Sequence, residues 1–295
     1  MQTSPSQPEK PGRKKTLLAV IVIGIIAAGI VVFVATALFI GPSLSVTTKP
    51  VAPYQSPVSQ NPSSPSSVTV ADVNGGITFS QWSRSDLLIN GTITARGISA
   101  NPDTITFVST NSSGNIVFQA IFAQGTFFFS TGYTVDINVF TPTSYHFSTV
   151  QATTVNGEVK VNTINTSSMT LTVTNGKITA NAIYATSLTL TDTNGSIDFT
   201  CTSCGTVTAT ATNGSITASL TTLSLTGSYT LTATNGSINL TLPTTASFKI
   251  TANATNGSVS STGLSRTLQN HVTLGTGTAI VTATTTNGSI TVTGV

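Results

Sequence analysis

The sequence predicts an all-β chain, a β-solenoid of about 19–22-residue repeats preceded by one transmembrane α-helix. Three observations predict it. The phrase Thr-Asn-Gly-Ser-Ile keeps returning, as in "TLTDTNGSIDF" (189–199), "TATATNGSITA" (208–218) and "TLTATNGSINL" (230–240). Residues between the recurrences alternate apolar and polar, the two-residue period of a half-buried strand. Near the amino terminus, 24 residues from Leu17 to Ile40 carry no charge.

Residues 1–16 form a basic tail. Lys10, Arg13, Lys14 and Lys15 against Glu9 account for the whole formal charge of +3. From Val68 onward six basic residues face seven acidic ones without forming a patch. A partner of nucleic acid is therefore excluded, because such binding needs clustered cations. As a helix, residues 17–40 would reach about 36 Å, enough for a bilayer core of roughly 30 Å. Ala35-Thr36-Ala37 mimics a signal-peptidase site, but the apolar run continues past it and is too long for a cleaved leader. Arg13-Lys14-Lys15 immediately before the span puts the amino terminus in the cytoplasm and the rest outside a cell membrane crossed once.

Residues 41–67, "GPSLSVTTKPVAPYQSPVSQNPSSPSS", hold six prolines in 27 positions. Proline lacks an N–H and disfavours both helix and sheet ladder, so this Pro/Ser/Thr-rich stretch is expected to be an extended stalk.

The solenoid occupies residues 68–295, with an irregular part (68–150) and regular repeats (151–295). Repeat units begin at Gln151, Thr170, Thr189, Thr208, Thr230, Thr251 and Thr282, with spacings of 19, 19, 19, 22, 21 and 31. Each carries an Asn-Gly corner: Asn156-Gly157, Asn175-Gly176, Asn194-Gly195, Asn213-Gly214, Asn235-Gly236, Asn256-Gly257 and Asn287-Gly288. Two residues after each glycine stands a β-branched residue (Val159, Ile178, Ile197, Ile216, Ile238, Val259, Ile290). Thr supplies strand propensity, Asn-Gly tolerates positive φ at a corner, and Ile returns the chain to the core. Stacked hairpins would also satisfy the alternation. The near-constant period and like-on-like apolar column favour stacked coils, with the extra residues after Ser260 bulging from one corner.

Here the chain resembles the putative-adhesin domain family of repetitive β-solenoids found on prokaryotic proteins. The resemblance rests on "VTVADVNGGITF" (68–79), "YTVDINVFTPTSYHF" (133–147) and the Thr-Asn-Gly-Ser-Ile units. It implies a repetitive β-solenoid adhesin domain on a membrane-anchored prokaryotic surface protein. The section 97–132 departs from the pattern, with a degenerate "TNSSGNIVF" (110–118) and a concentration of phenylalanines expected in the core or in a cap.

No reactive constellation is legible. His146 and His271 have no companion acids at metal spacing, and no cofactor or metal is expected. Asp192 and Asp198 flank one corner but do not recur, so the chain is not expected to be an enzyme. Cys201 and Cys204, outside the membrane and in a strand-rich repeat, are read as a structural disulfide. Sequons at Asn90, Asn111, Asn165, Asn194, Asn213, Asn235, Asn239, Asn253, Asn256 and Asn287 offer N-glycosylation sites in a glycoprotein. The expected work is contact with a surface glycan or a neighbouring envelope protein. The competing expectations are an assembly subunit pairing through its last strand, "SITVTGV", and a polysaccharide-active enzyme.

Overall fold

The computed structural model describes residues 46–58, 65–97, 100–122, 132–143 and 145–295. The expected tail (1–16) and transmembrane helix (17–40) lie outside them. Among the described residues no helix is long and apolar enough to cross a membrane.

The first strands are β1 (Val46–Pro57), β2 (Ser67–Ala71), β3 (Ile77–Trp82), β4 (Asp86–Arg96), β5 (Ile105–Ser112), β6 (Asn115–Phe122) and β7 (Gly132–Pro142). One extended run, β8 (His146–Asn213), then winds through successive repeats. It is followed by β9 (Ile216–Leu220), β10 (Leu223–Asn235), β11 (Ile238–Leu242), β12 (Phe248–Asn256), β13 (Val259–Thr262), β14 (Thr273–Leu274), β15 (Ala279–Asn287) and β16 (Ile290–Gly294).

Each repeat is one coil with three walls. Before each Asn-Gly, the alternation turns residues such as Leu171, Leu190, Ala209, Leu231 and Ala283 inward, all fully buried. Outward threonines pair coil to coil on this first wall: Thr208 with Thr230, Thr230 with Thr282, Thr282 with Thr251. After the corner, the second wall aligns Ile197, Ile216, Ile238, Ile290 and Val259 in one parallel register. The column extends back through Val159, Ile77 and Ile137. Burying one such side chain contributes about 1.5–3 kcal/mol, so the column is a main source of cohesion. Met169, Leu188, Val207 and Tyr229 extend the buried row of the first wall, and a third wall closes the coil through Ile164, Ile183, Ala185, Cys204 and Leu223, again inward and buried.

The corner meets the sequence expectation in part: Gly157, Gly176 and Gly288 take positive φ (152°, 156° and 157°). No corner asparagine has positive φ; the only non-glycine residues that do are Ser113, Thr163, Ala182 and His271 among the described residues. Asparagine is there for its side chain. Each Nδ2 donates to the Oδ1 of the neighbouring coil at 2.7–2.8 Å, in the order Asn256, Asn287, Asn235, Asn213, Asn194, Asn175, Asn156. Glycine is there because the coils touch: a Cβ at Gly157, Gly176, Gly195, Gly214, Gly236, Gly257 or Gly288 would lie 1.5–2.3 Å from the carbonyl oxygen of the glycine one coil away. Asn213→Ala removes one donated and one accepted amide bond from this ladder. Because water can reach the exposed neighbours, the expected cost is about 1–2 kcal/mol, read from the urea midpoint at unchanged m-value.

The ladder also shows that coils do not stack in chain order. The last unit lies between the two that precede it, with β15 paired to both β10 and β12, and β16 to both β11 and β13. The first unit is likewise tucked in, since β2 lies between β6 and β8, and β3 between β7 and β8. This corrects the expectation that "SITVTGV" is a free terminal edge: its strand is paired on both sides.

Three further expectations change. Residues 46–57 of the expected stalk form β1, antiparallel to β4 at the sheet edge, with a register shift between Val51 and Tyr54 around Pro53. Proline is tolerated there because an edge strand has one side without ladder partners. "TNSSGNIVF" is a hairpin, not a coil corner: β5 and β6 join through Ser113 (φ 52°) and Gly114 (φ 85°), the two positive φ values of a type I′ turn. The residues after Ser260 do not bulge sideways but fold over the end of the stack. There β14 pairs with Ile250 and Thr251, the His271 N–H donates to Ala252, and the Asn270 amide both donates to and accepts from Ala254. Of the phenylalanines, Phe118 is buried and packs against Phe107 and Tyr54, while Phe127, Phe128 and Phe129 lie outside the described residues.

Candidate functional site

The sequence-predicted residues are distributed over the walls rather than gathered. Asp192 points into the core and is fully buried, whereas Asp198 points outward and pairs with Lys177 at 3.8 Å. The Asn194-Gly195 corner between them shifts the inward parity from Leu190 and Asp192 to Ile197 and Phe199, so one carboxylate faces the core and the other solvent, and they cannot share a substrate. Among the described residues no group of three or more His, Cys, Asp or Glu side chains could hold a metal ion.

Asp192 and Asp72 are unusual for another reason. Both are buried, and no hydrogen bond of good geometry reaches their carboxyl oxygens, the backbone N–H groups of Val73, Asn74 and Asn194 lying near but poorly aimed. Burial pushes each carboxyl up to about 6; nearby backbone N–H groups counteract this in part, and the Asp136 carboxylate pushes Asp72 further. They stand two residues before Asn194 and Asn74. At the same position in other coils, the Thr154 and Thr285 hydroxyls donate to the carbonyls of Gly75 and Gly236 at 3.2 and 2.8 Å. Val173, Ala211, Ala233 and Ala254 fill it elsewhere, so the position takes an apolar group or a donor, and an aspartate can be a donor only when protonated.

The third wall is where side chains vary. Thr163 (φ 49°) and Ala182 (φ 51°) turn the chain onto it through the left-handed region. Nineteen residues after Ala182 stands Cys201, disulfide-bonded to Cys204 across this corner. Tyr229, buried behind the wall, accepts from the Ser224 N–H at 2.7 Å and donates to the Cys204 carbonyl at 2.9 Å. Outside runs a shallow groove of about 560 Å³ crossing five coils. Its first column is His146, Asn165, Tyr184, Ser203 and Thr222, spaced by 19 residues at every step. His146 is held in place, Nδ1 2.9 Å from Asn165 Oδ1 and Nε2 2.9 Å from Ser167 Oγ. The sequence shows His146 only as a histidine without companion acids at metal spacing. The signal that could have found the groove was the 19-residue spacing applied to this non-repeating column. His271 lies in the end cover, far from it in the coil order.

The sequons divide by geometry. Asn194, Asn213, Asn235, Asn256 and Asn287 use their Nδ2 groups within the ladder. Coils roughly 4.8 Å apart leave no room for a sugar on every rung. Asn111 is engaged with Ser56 and the Gly114 N–H, and Asn165 with His146. Asn239 and Asn253 project outward from the second and first walls, and Asn90 pairs across strands with Asn138.

The family model described as Toastrack DUF4097 matches residues 68–293. Among solved structures, a putative adhesin from Parabacteroides distasonis is similar at 11% identity, covering 86% of this chain and 98% of that one, with a TM-score of 0.45. A putative cell adhesion protein from Clostridium sporogenes gives 11% identity, 84% and 100% coverage and a TM-score of 0.42. A putative adhesin from Parabacteroides merdae gives 10% identity, 85% and 96% coverage and a TM-score of 0.40. No curated protein matches.

Proposed function

Because this chain belongs to the Toastrack DUF4097 family, we propose that it is a non-catalytic contact module, displayed outside the cell membrane on a single transmembrane span and binding a surface glycan or a neighbouring envelope protein. The observation that carries the reading is a rod whose repeated positions are all spent on cohesion, with the corner asparagines, corner glycines and aligned isoleucines each serving the stack. The carboxylate pair that flanks one corner, Asp192 and Asp198, is split between core and solvent. The uncharged run from Leu17 to Ile40 behind Arg13-Lys14-Lys15 supports the anchor and its orientation.

Assembly through a free last strand is not favoured, since β16 is interior. The ends are blunted in the manner that keeps sheets from pairing edge to edge: prolines on β1 at one, the Asn270 and β14 cover at the other. If N-glycans are added, Asn239 and Asn253 are the favoured acceptors.

Two measurements test the reading together. Protease added to intact cells should digest the 46–295 portion and spare the amino-terminal tail. Envelope fragments of the producing cells should retain the full-length chain without chemical turnover of their polysaccharide. A protected carboxy-terminal portion, or release of sugar fragments, contradicts it.

A further inference from the structure

We propose that the third-wall groove is a binding site for a neutral glycan chain lying along the solenoid axis, with Tyr184 as its stacking platform. This rests on the contact reading above and names the partner's chemistry.

The first argument is a contrast within the molecule. The outward and corner columns that knit coil to coil repeat one residue type, asparagine and glycine at the corner and threonine on the first wall, and isoleucine or valine lines the second wall inside. The groove column instead reads His146, Asn165, Tyr184, Ser203, Thr222, different at each coil although the backbone spacing is the same 19 residues. Of these side chains only His146 and Asn165 bond to each other across coils, so Tyr184, Ser203 and Thr222 are free to answer to a ligand.

The second argument is chemistry. Tyr184 is 42% exposed, a large ring in a wall of small polar side chains, with Asn165 and Ser203 one coil to either side. An aromatic face left open among hydroxyl and amide groups matches the alternating C–H and O–H surfaces of a sugar. No Asp, Glu, Lys or Arg lines the groove, so a charged polymer would find no counter-ion there. The groove crosses the coils at right angles to the strands, which denies a peptide the ladder bonds of strand addition. Five coils about 4.8 Å apart give a length of roughly 19 Å, suited to a short run of sugar units. The walls are pre-set: the Cys201–Cys204 disulfide and the Tyr229 hydroxyl fix one side, and His146 is oriented by Asn165 and Ser167. Pre-organisation of this kind lowers the ordering cost of binding.

The test uses the full-length chain and immobilised oligomers of glucose, mannose and N-acetylglucosamine, with uronate and sulfated oligomers as charged probes. At least one neutral series should bind, with affinity rising over the first few units and then levelling. Tyr184→Ala should weaken that binding at least tenfold and His146→Ala severalfold, while Thr210→Ala on the first wall leaves it unchanged. Unaltered melting of each variant shows that the fold is intact. Binding of charged oligomers alone, equal binding by Tyr184→Ala, loss with Thr210→Ala, or a covalent glycan already on Asn165 of the native protein would overturn the groove. Retention by envelope fragments separates the two claims. If wild type and Tyr184→Ala are retained alike, the groove falls and the contact reading stands; if wild type is not retained, both fall.

Discussion

Gly214→Ala is expected to leave the domain unfolded or insoluble, since its added methyl group meets the tightest contact among the described glycines. The added Cβ would lie 1.5 Å from the Gly195 carbonyl oxygen and 2.5 Å from its carbon, both backbone atoms of the neighbouring coil. A flexible side chain could swing away from such a collision, but a coil cannot, because the Asn213 amide beside it is tied to Asn194 and Asn235. Ordinary overpacking costs about 1–3 kcal/mol, and this contact is tighter than ordinary, so a loss of at least about 4 kcal/mol is expected from a stability that is typically 5–15 kcal/mol. Denaturant unfolding checks it. The companion variant is Gly132→Ala, where the new methyl group meets nothing within 4 Å and stability should change by less than about 1 kcal/mol. Equal effects at the two sites would mean that the glycines serve conformational freedom rather than coil contact.

The second large effect runs against the usual direction of acid denaturation. The folded-state carboxyls of Asp72 and Asp192 are raised from an ordinary 3.8 to about 6 by burial. The folded protein therefore binds protons more readily than the unfolded chain between those values. The associated stability is fully present below about pH 4 and is lost as pH rises through about 6. The domain should be more stable near pH 4.5 than at pH 7, by about 1–2 kcal/mol for each group. Asp192→Thr should stabilise the domain at pH 7 by a similar amount and remove its share of the pH dependence, because a threonine there can donate to the neighbouring coil as Thr154 and Thr285 do. Thermal melts of wild type, Asp192→Thr and Asp72→Asn from pH 4 to 8 read this directly. A wild-type melting point that rises with pH over that range is the opposite result.

The coil and its core positions were legible because they depend on local alternation and on a spacing that counts residues. Leu190, Ile197, Leu231 and Ile238 are buried where period two and period 19 both place them. The function of the corner was half legible: Asn-Gly marks it, but only the contact between coils reveals that asparagine acts through its amide and glycine through its missing Cβ. Coil order could not be read from the sequence at all. The unit at Thr282 fits the stack equally well beside the unit at Thr230 or after that at Thr251, since all three carry Thr-Asn-Gly-Ser. What decides it is the long segment after Ser260, whose Asn270 and Thr273–Leu274 serve the open side of β12 and so make that coil the end. Residues 46–57 were misleading for a related reason. Proline argues against a strand with two neighbours, and β1 has only β4. The groove was overlooked because it is built from the column that does not repeat.

The account depends most on the stacking of coils in the order of the Asn ladder, with the last repeat inside. Ser237, Ser289 and Ser258 are equivalent outward positions on successive rungs: the Ser289 N–H donates to Ser237 Oγ, and the Ser258 N–H to Ser289 Oγ, each at 3.3 Å. Rungs one step apart lie roughly 4.8 Å from each other, within the 4.4–6.8 Å that a disulfide spans between Cα atoms, and rungs two steps apart do not. Paired cysteine variants under mild oxidation therefore order the coils. Ser237→Cys with Ser289→Cys, and Ser289→Cys with Ser258→Cys, should cross-link in the folded protein, and Ser237→Cys with Ser258→Cys should not. Cross-linking of the last pair in place of the first would put the repeats in chain order and contradict the structure described here.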